Sequence, residues 1–184
     1  MAKIKGPILV SLKKFVLDRF GKEGLKKFLE SFPEDERNSL EMPLALGWYD
    51  LSLVIKALHH LKDVLGKGNR ELVRQFGYFD VEQDLNFFQR VFLSLANPAY
   101  ALEKSAEYWS RFCDWGNWKV TRIDKNHAKG ELIGCPIIDG LYCLELTSYL
   151  YRMWELIGAR DINISHEQCR ARGDKSCIWS ASWR

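Results

Sequence analysis

Three cysteines and one histidine carry the clearest chemistry in this sequence. The segment Ser165-His166-Glu167-Gln168-Cys169-Arg170-Ala171-Arg172-Gly173-Asp174-Lys175-Ser176-Cys177 sets two cysteines on either side of a glycine-containing turn. Pairing of the flanking stretches as a hairpin brings Cys169 and Cys177 together. His166 stands three residues before Cys169, and Cys143 lies on a preceding helical stripe that should face this sheet. Three thiolates and an imidazole form the tetrahedral ligand set of a closed structural zinc site, which leaves no position open for water and catalysis. Strand positions three apart point to opposite faces, so His166 and Cys169 converge only across a bulge or a strand end. Glu167 shares the parity of Cys169 and is the alternative, oxygen ligand. The competing reading makes Cys143 and Cys177 small core residues, since no C-x-x-C pair is present.

Other groups offer less. Cys113 and Cys135 have no histidine near them in sequence. Asp80, Glu82 and Asp84 read as the charged start of a helix, where capping accounts for them better than paired acid-base work. Neither a phosphate loop nor a dinucleotide fingerprint occurs. The aromatic residues are more suggestive. Trp48, Tyr49, Phe88, Phe92, Tyr108, Trp109 and Trp118 could line a pocket for a small apolar or aromatic ligand. Ordinary core packing with a dimer surface is the equal alternative.

These residues must be positioned by two kinds of chain. Over residues 1–113 the apolar spacing predicts six or seven helices. The first runs from Pro7 to about Ser31 with a break at Gly21, and Asp50 caps another that ends near Gly66. Asn69 opens a further helix interrupted by Gly77, residues from Asp80 to about Leu95 are helical again, and a last helix starts at Pro98. Residues 114–184 change character: a strand around Trp118, a hairpin partner from Gly130 to Gly134, a helix from about Asp139 to Ile157, then strands from Asp161 and from Cys177. The expected fold is α+β, a helical N-terminal two-thirds packed on a C-terminal antiparallel sheet in the order strand, strand, helix, strand, strand. One domain over 1–184 is the economical division.

Composition sets the outer limits. The 184 residues are 47% hydrophobic and 13% aromatic, which excludes a disordered chain. The net charge of +3 is too mild to announce a nucleic-acid partner. Lysines and arginines crowd the first helices, a face that could touch acidic lipid or simply be solvated. Five cysteines, an odd number, argue against a disulfide framework, and Lys13 and Lys14 break the first apolar run, so a cytoplasmic location is expected.

Cys143 followed by His166-x-x-Cys169-x-Ala171-x-Gly173-Asp174-x-x-Cys177, closing at Trp183, resembles the 4-vinyl reductase domain superfamily. That group includes phenol- and xylene-sensing input domains of bacterial transcription activators. Its fold is similar to subunits of the eukaryotic transport protein particle and to heme-nitric-oxide-binding domains. Phe20-Gly21, Gly47-Trp48-Tyr49-Asp50, Arg70 to Gly77 and Asn97-Pro98 resemble a bacterial family of unknown function in the same fold group. The resemblance implies zinc held by three cysteines and one acidic residue beside an aromatic-ligand pocket; His166 occupies the acidic position. Heme is not expected, because Tyr108-Trp109-Ser110-Arg111 misses the Tyr-x-Ser-x-Arg propionate motif and His59 and His60 share one helix. The implied function is a non-enzymatic sensor for a small apolar or aromatic molecule, a homodimer signalling through a separate output protein. A transport-particle-like adaptor is the alternative, and a tetrapyrrole reductase-like enzyme the third reading.

Overall fold

Apolar residues at helical spacing build the first part of the chain, and the computed structural model describes residues 2–85, 98–136 and 139–184. Helix α1 (Pro7–Glu30) begins at a proline, which suits a first turn, and buries Ile8, Leu12, Phe15 and Val16. At Gly21 the backbone takes φ +67°, so the expected break is a kink within one helix. Helix α2 (Glu34–Glu41) carries three acids in its first turn. Helix α3 (Leu51–His60) continues as a π-helical turn over Leu61–Leu65. Asp50 holds the N-cap position of α3, but its side chain makes no capping bond.

Asn69 Oδ1 accepts a hydrogen bond from the Glu71 amide at 2.9 Å and starts α4 (Glu71–Asp84). Gly77 does not interrupt this helix. A Cβ there would sit 2.5 Å from the Glu145 carbonyl oxygen, so glycine allows the helix that bears Glu145 to approach closely. Asp80 and Asp84 therefore lie at the end of α4 and not at a helix start. The rest of the helix expected to run to Leu95 falls outside the described residues. Helix α5 (Pro98–Phe112) follows.

Strands β1 (Lys3–Lys5) and β2 (Trp48–Asp50) form a small antiparallel pair. Three residues apiece are too few for a strand period to show in the sequence. The main sheet joins β3 (Asn117–Arg122), β4 (His127–Ile133), β5 (Asn163–Gln168) and β6 (Cys177–Ser182) in the order β3-β4-β6-β5, antiparallel throughout. Between β4 and β5 runs α6 (Gly140–Leu156), capped by Asp139, whose Oδ1 accepts from the Leu141 and Tyr142 amides at 2.8 and 2.9 Å. The fold is α+β with the expected strand, strand, helix, strand, strand order. One core runs from α1, α3 and α4 to Trp118, Leu132 and Trp179 of the sheet. Among the described residues no helix is long and apolar enough to cross a membrane.

Candidate functional site

The β5–β6 hairpin and the first turn of α6 bring Cys143, His166, Cys169 and Cys177 together. Their four donor atoms all lie within 4.8 Å of one another. The register of β5 against β6 shifts between His166 and Gln168, the bulge that lets His166 and Cys169 share a side. Glu167 is exposed and lies outside the group, so the oxygen alternative falls away. Cys143 Sγ is 3.9 Å from Cys177 Sγ and 3.7 Å from Cys169 Sγ. Metal–sulfur bonds of ~2.3 Å in a tetrahedron would set sulfur–sulfur edges of roughly 3.8 Å. None of the five cysteines forms a disulfide.

His166 stacks on Trp179 with ring centroids 4.2 Å apart and planes 4° from parallel. Its Nε2 is buried without a hydrogen-bond partner, a nitrogen suited to a metal ion. Burial, then the Arg172 charge, lowers the imidazole to about 4, so the ring is neutral. Burial and the neighbouring thiols push the Cys143 thiol up.

A second feature lies along the other face of α6. A cavity of about 180 Å³ opens between α4, α5, α6 and β3. Trp109, Trp118, Leu146, Leu150, Met153 and Ile157 give it apolar walls. The two tryptophan rings stack at 6.1 Å, each indole anchored by its N–H: Trp109 to the Trp115 carbonyl and Trp118 to Ser105 Oγ. Tyr108 stands near its mouth, 43% exposed.

Three expected pocket residues thus meet there, and others do not. Trp48 and Tyr49 belong to β2, whose pairing with β1 holds them away from the cavity. Trp48 is exposed under the Lys5 ammonium, and Tyr49 accepts a hydrogen bond from the Leu44 amide at 2.7 Å. Phe88 and Phe92 lie outside the described residues.

Three carboxyls lie on the cavity wall: Asp80 and Asp84 of α4, which the sequence reading took for helix-start caps, and Glu145 of α6, which it did not single out. Asp80 and Glu145 are each 3% exposed. Burial, followed by the charges of Asp84 and Glu145, pushes Asp80 well up from the usual carboxylate range. Burial raises Asp84 to about 6 against the opposing Tyr149 hydrogen bond, whose hydroxyl donates at 3.1 Å. Burial and Asp84 raise Glu145 to about 8. A signal was available: Val73, Phe76, Asp80 and Asp84 recur at helical spacing, which puts acids on an apolar stripe.

No protein-family model and no curated protein matches the chain. Solved structures do. A mutant H-NOX protein from S. oneidensis in the Fe(II) ligation state is similar at TM-score 0.77 and 16% identity, over 98% of this chain and 96% of that one. The Fe(II) unliganded H-NOX protein from K. algicida gives 0.72 at 13% identity, over 98% and 97%. An oxygen-binding H-NOX domain related to soluble guanylate cyclases gives 0.72 at 13%, over 98% and 95%. The fold is that of H-NOX domains.

This corrects two expectations. The likeness is to H-NOX (heme nitric oxide/oxygen binding) domains and not to the 4-vinyl reductase superfamily, so the zinc assignment loses its family support. Heme, set aside on a missed motif, is the cofactor this fold implies. The motif was the wrong test, because kinship of fold survives at identities where short motifs do not.

The donor set around the cavity is the physical test, and it does not supply a histidine. All four histidines of the chain are engaged elsewhere. His59 Nε2 lies 2.8 Å from Asp139, His60 stacks on Phe32, His127 pairs with Asp124, and His166 joins the thiols. Burial followed by neighbouring acids and thiols pushes up the Cys113 thiol, and burial likewise raises the Tyr142 and Tyr149 phenols, disfavouring anionic ligation. The described cavity residues do not fit a histidine-ligated heme.

Proposed function

We propose that this chain is a single-domain small-molecule sensor of H-NOX architecture, which binds its ligand in the α4–α5–α6 cavity and signals through a separate protein. The observation that carries it is the tryptophan-walled cavity in a fold whose solved examples include an oxygen complex. A single apolar or aromatic ring suits its size, since an engineered cavity of about 150 Å³ takes benzene. The role is binding and not turnover. Val10 and Leu17, exposed one heptad apart on α1, support association of two copies through the N-terminal helices.

The test is native mass spectrometry of the purified chain, followed by melting curves with small aromatic compounds. A retained small molecule, or a rise in Tm with one ring size and not with larger ones, is the expected result. A chain that carries nothing and is stabilised by none of them overturns the reading.

The thiol–imidazole cluster is proposed as a closed metal-ion site that ties α6 to the β5–β6 hairpin. Its support is the sulfur spacing and the unpartnered His166 nitrogen. Elemental analysis should find about one equivalent of a soft divalent ion per chain. No metal in freshly purified protein would make the four residues core packing.

A further inference from the structure

The Asp80 Oδ1 and Glu145 Oε1 atoms are buried and have no hydrogen-bond partner. Both residues line the cavity. Ser11 bonds the Asp80 carboxyl, and Tyr149 serves Asp84. Among the described residues no lysine, arginine or histidine forms an ion pair with Asp80, Asp84 or Glu145. Lys5, which also lines the cavity, gives its ammonium to the Leu46 carbonyl and the Trp48 ring. Arg152 is taken by Glu82 and Glu155.

Buried polar atoms are nearly always hydrogen-bonded, and buried carboxyls are paired or coordinate a metal. Here two residues on the wall of an apolar chamber carry buried acceptors for which no donor is found among the described residues. A metal ion is not the answer: the four-residue thiol cluster is the one tight group of metal-ligating atoms among the described residues, and the carboxyls do not form another. Acceptor groups beside apolar walls suit a ligand with several N–H donors and an apolar body.

We propose that the cavity takes a small aromatic amine-bearing cation, its ammonium bonded to Asp80 and Glu145 and its ring against Trp109 and Trp118. Proximity to the indole faces adds attraction for the cationic end. The chamber of about 180 Å³ limits the body to one ring with a short arm. Burial that raises the Asp80 carboxyl is the cost that such a cation offsets. This inference rests on reading the cavity as the ligand site.

The experiment uses the full chain and three probes built on one phenylethyl body in titration calorimetry: 2-phenylethylamine, its neutral isostere n-propylbenzene, and the anionic 3-phenylpropionate. The amine is expected to bind at least about tenfold more tightly than the neutral probe, as charge-assisted hydrogen bonds imply, and the carboxylate not at all. Glu145→Gln and Asp80→Asn should each erase the amine's advantage while keeping affinity for n-propylbenzene. If one variant does not fold, the other and the wild-type probe series decide. Neutral binding equal to or tighter than amine binding overturns this inference and leaves the sensor reading intact. Failure of every probe overturns both.

Discussion

Asp84 shows how one buried carboxyl sets the response of the fold to pH. Its carboxyl is raised from 3.8 to about 6, first by burial. Between those values the folded chain holds a proton that the unfolded chain has released. Stability from this group therefore falls as pH rises through about 4 to 6, and the loss is complete above that window. Asp84→Asn removes the ionisable proton yet leaves an oxygen for the Tyr149 hydroxyl. We expect the variant to be more stable than wild type at pH 7 by up to ~3 kcal/mol, about two pH units at ~1.4 kcal/mol each, with the gain gone near pH 4. Urea titrations at the two pH values check this; an equal gain at both would mean packing, not ionisation, is responsible. At this scale the sequence told half the story. Cys143, His166, Cys169 and Cys177 were legible because a hairpin fixes their spacing, and the bulge they required is present. Asp80 and Asp84 were not, because a misplaced helix boundary turned two wall carboxyls into supposed caps.

Helix α4 owes its place to Gly77 more than to its apolar residues alone. A side chain there would meet the Glu145 carbonyl at 2.5 Å and the Ser148 Cβ at 2.8 Å, both on α6. Gly77→Ala would improve helix propensity by roughly 1 kcal/mol in an exposed helix. Here it should instead destabilise by about 1–3 kcal/mol, as overpacked cores do, with a lower urea midpoint as the readout. Unchanged stability would show that α4 and α6 can part without cost. Gly21 is the opposite case. Nothing lies within 4 Å of a Cβ built on it, but its φ of +67° with ψ −170° belongs to a region left almost entirely to glycine, so Gly21→Ala should cost about 1–3 kcal/mol through backbone conformation alone. Sequence marked both glycines as interruptions. Only one bends the chain, because glycine serves positive φ and close approach equally, and a single sequence does not separate the two uses. The helix–sheet order was legible from the change of period after residue 113, whereas β1 and β2 were too short to register.

At the scale of the whole molecule, α6 is the shared member. Its N-terminal end supplies Cys143 to the thiol cluster, and Glu145, Leu146, Leu150 and Met153 further along it line the cavity. A metal ion held by the cluster would tie this wall of the chamber to the β5–β6 hairpin. If a metal ion sits there, its binding energy is also folding energy. Stripping the wild-type chain with a strong chelator should lower Tm on the order of 10 °C, taking ~3 kcal/mol of lost stabilisation and about 2–4 °C per kcal/mol for a chain of this length. Cys169→Ser should melt at the chelated value from the outset and be indifferent to chelator. That second comparison separates metal loss from the ordinary penalty of placing a hydroxyl at a buried site, which would persist whatever the chelator does. A wild-type Tm unmoved by chelation, in protein shown to carry metal beforehand, would remove the cluster from any part in holding α6. The same two samples titrated with n-propylbenzene then test the link along the helix: a cavity wall released from the hairpin should bind it more weakly, and equal affinity would make the two sites independent.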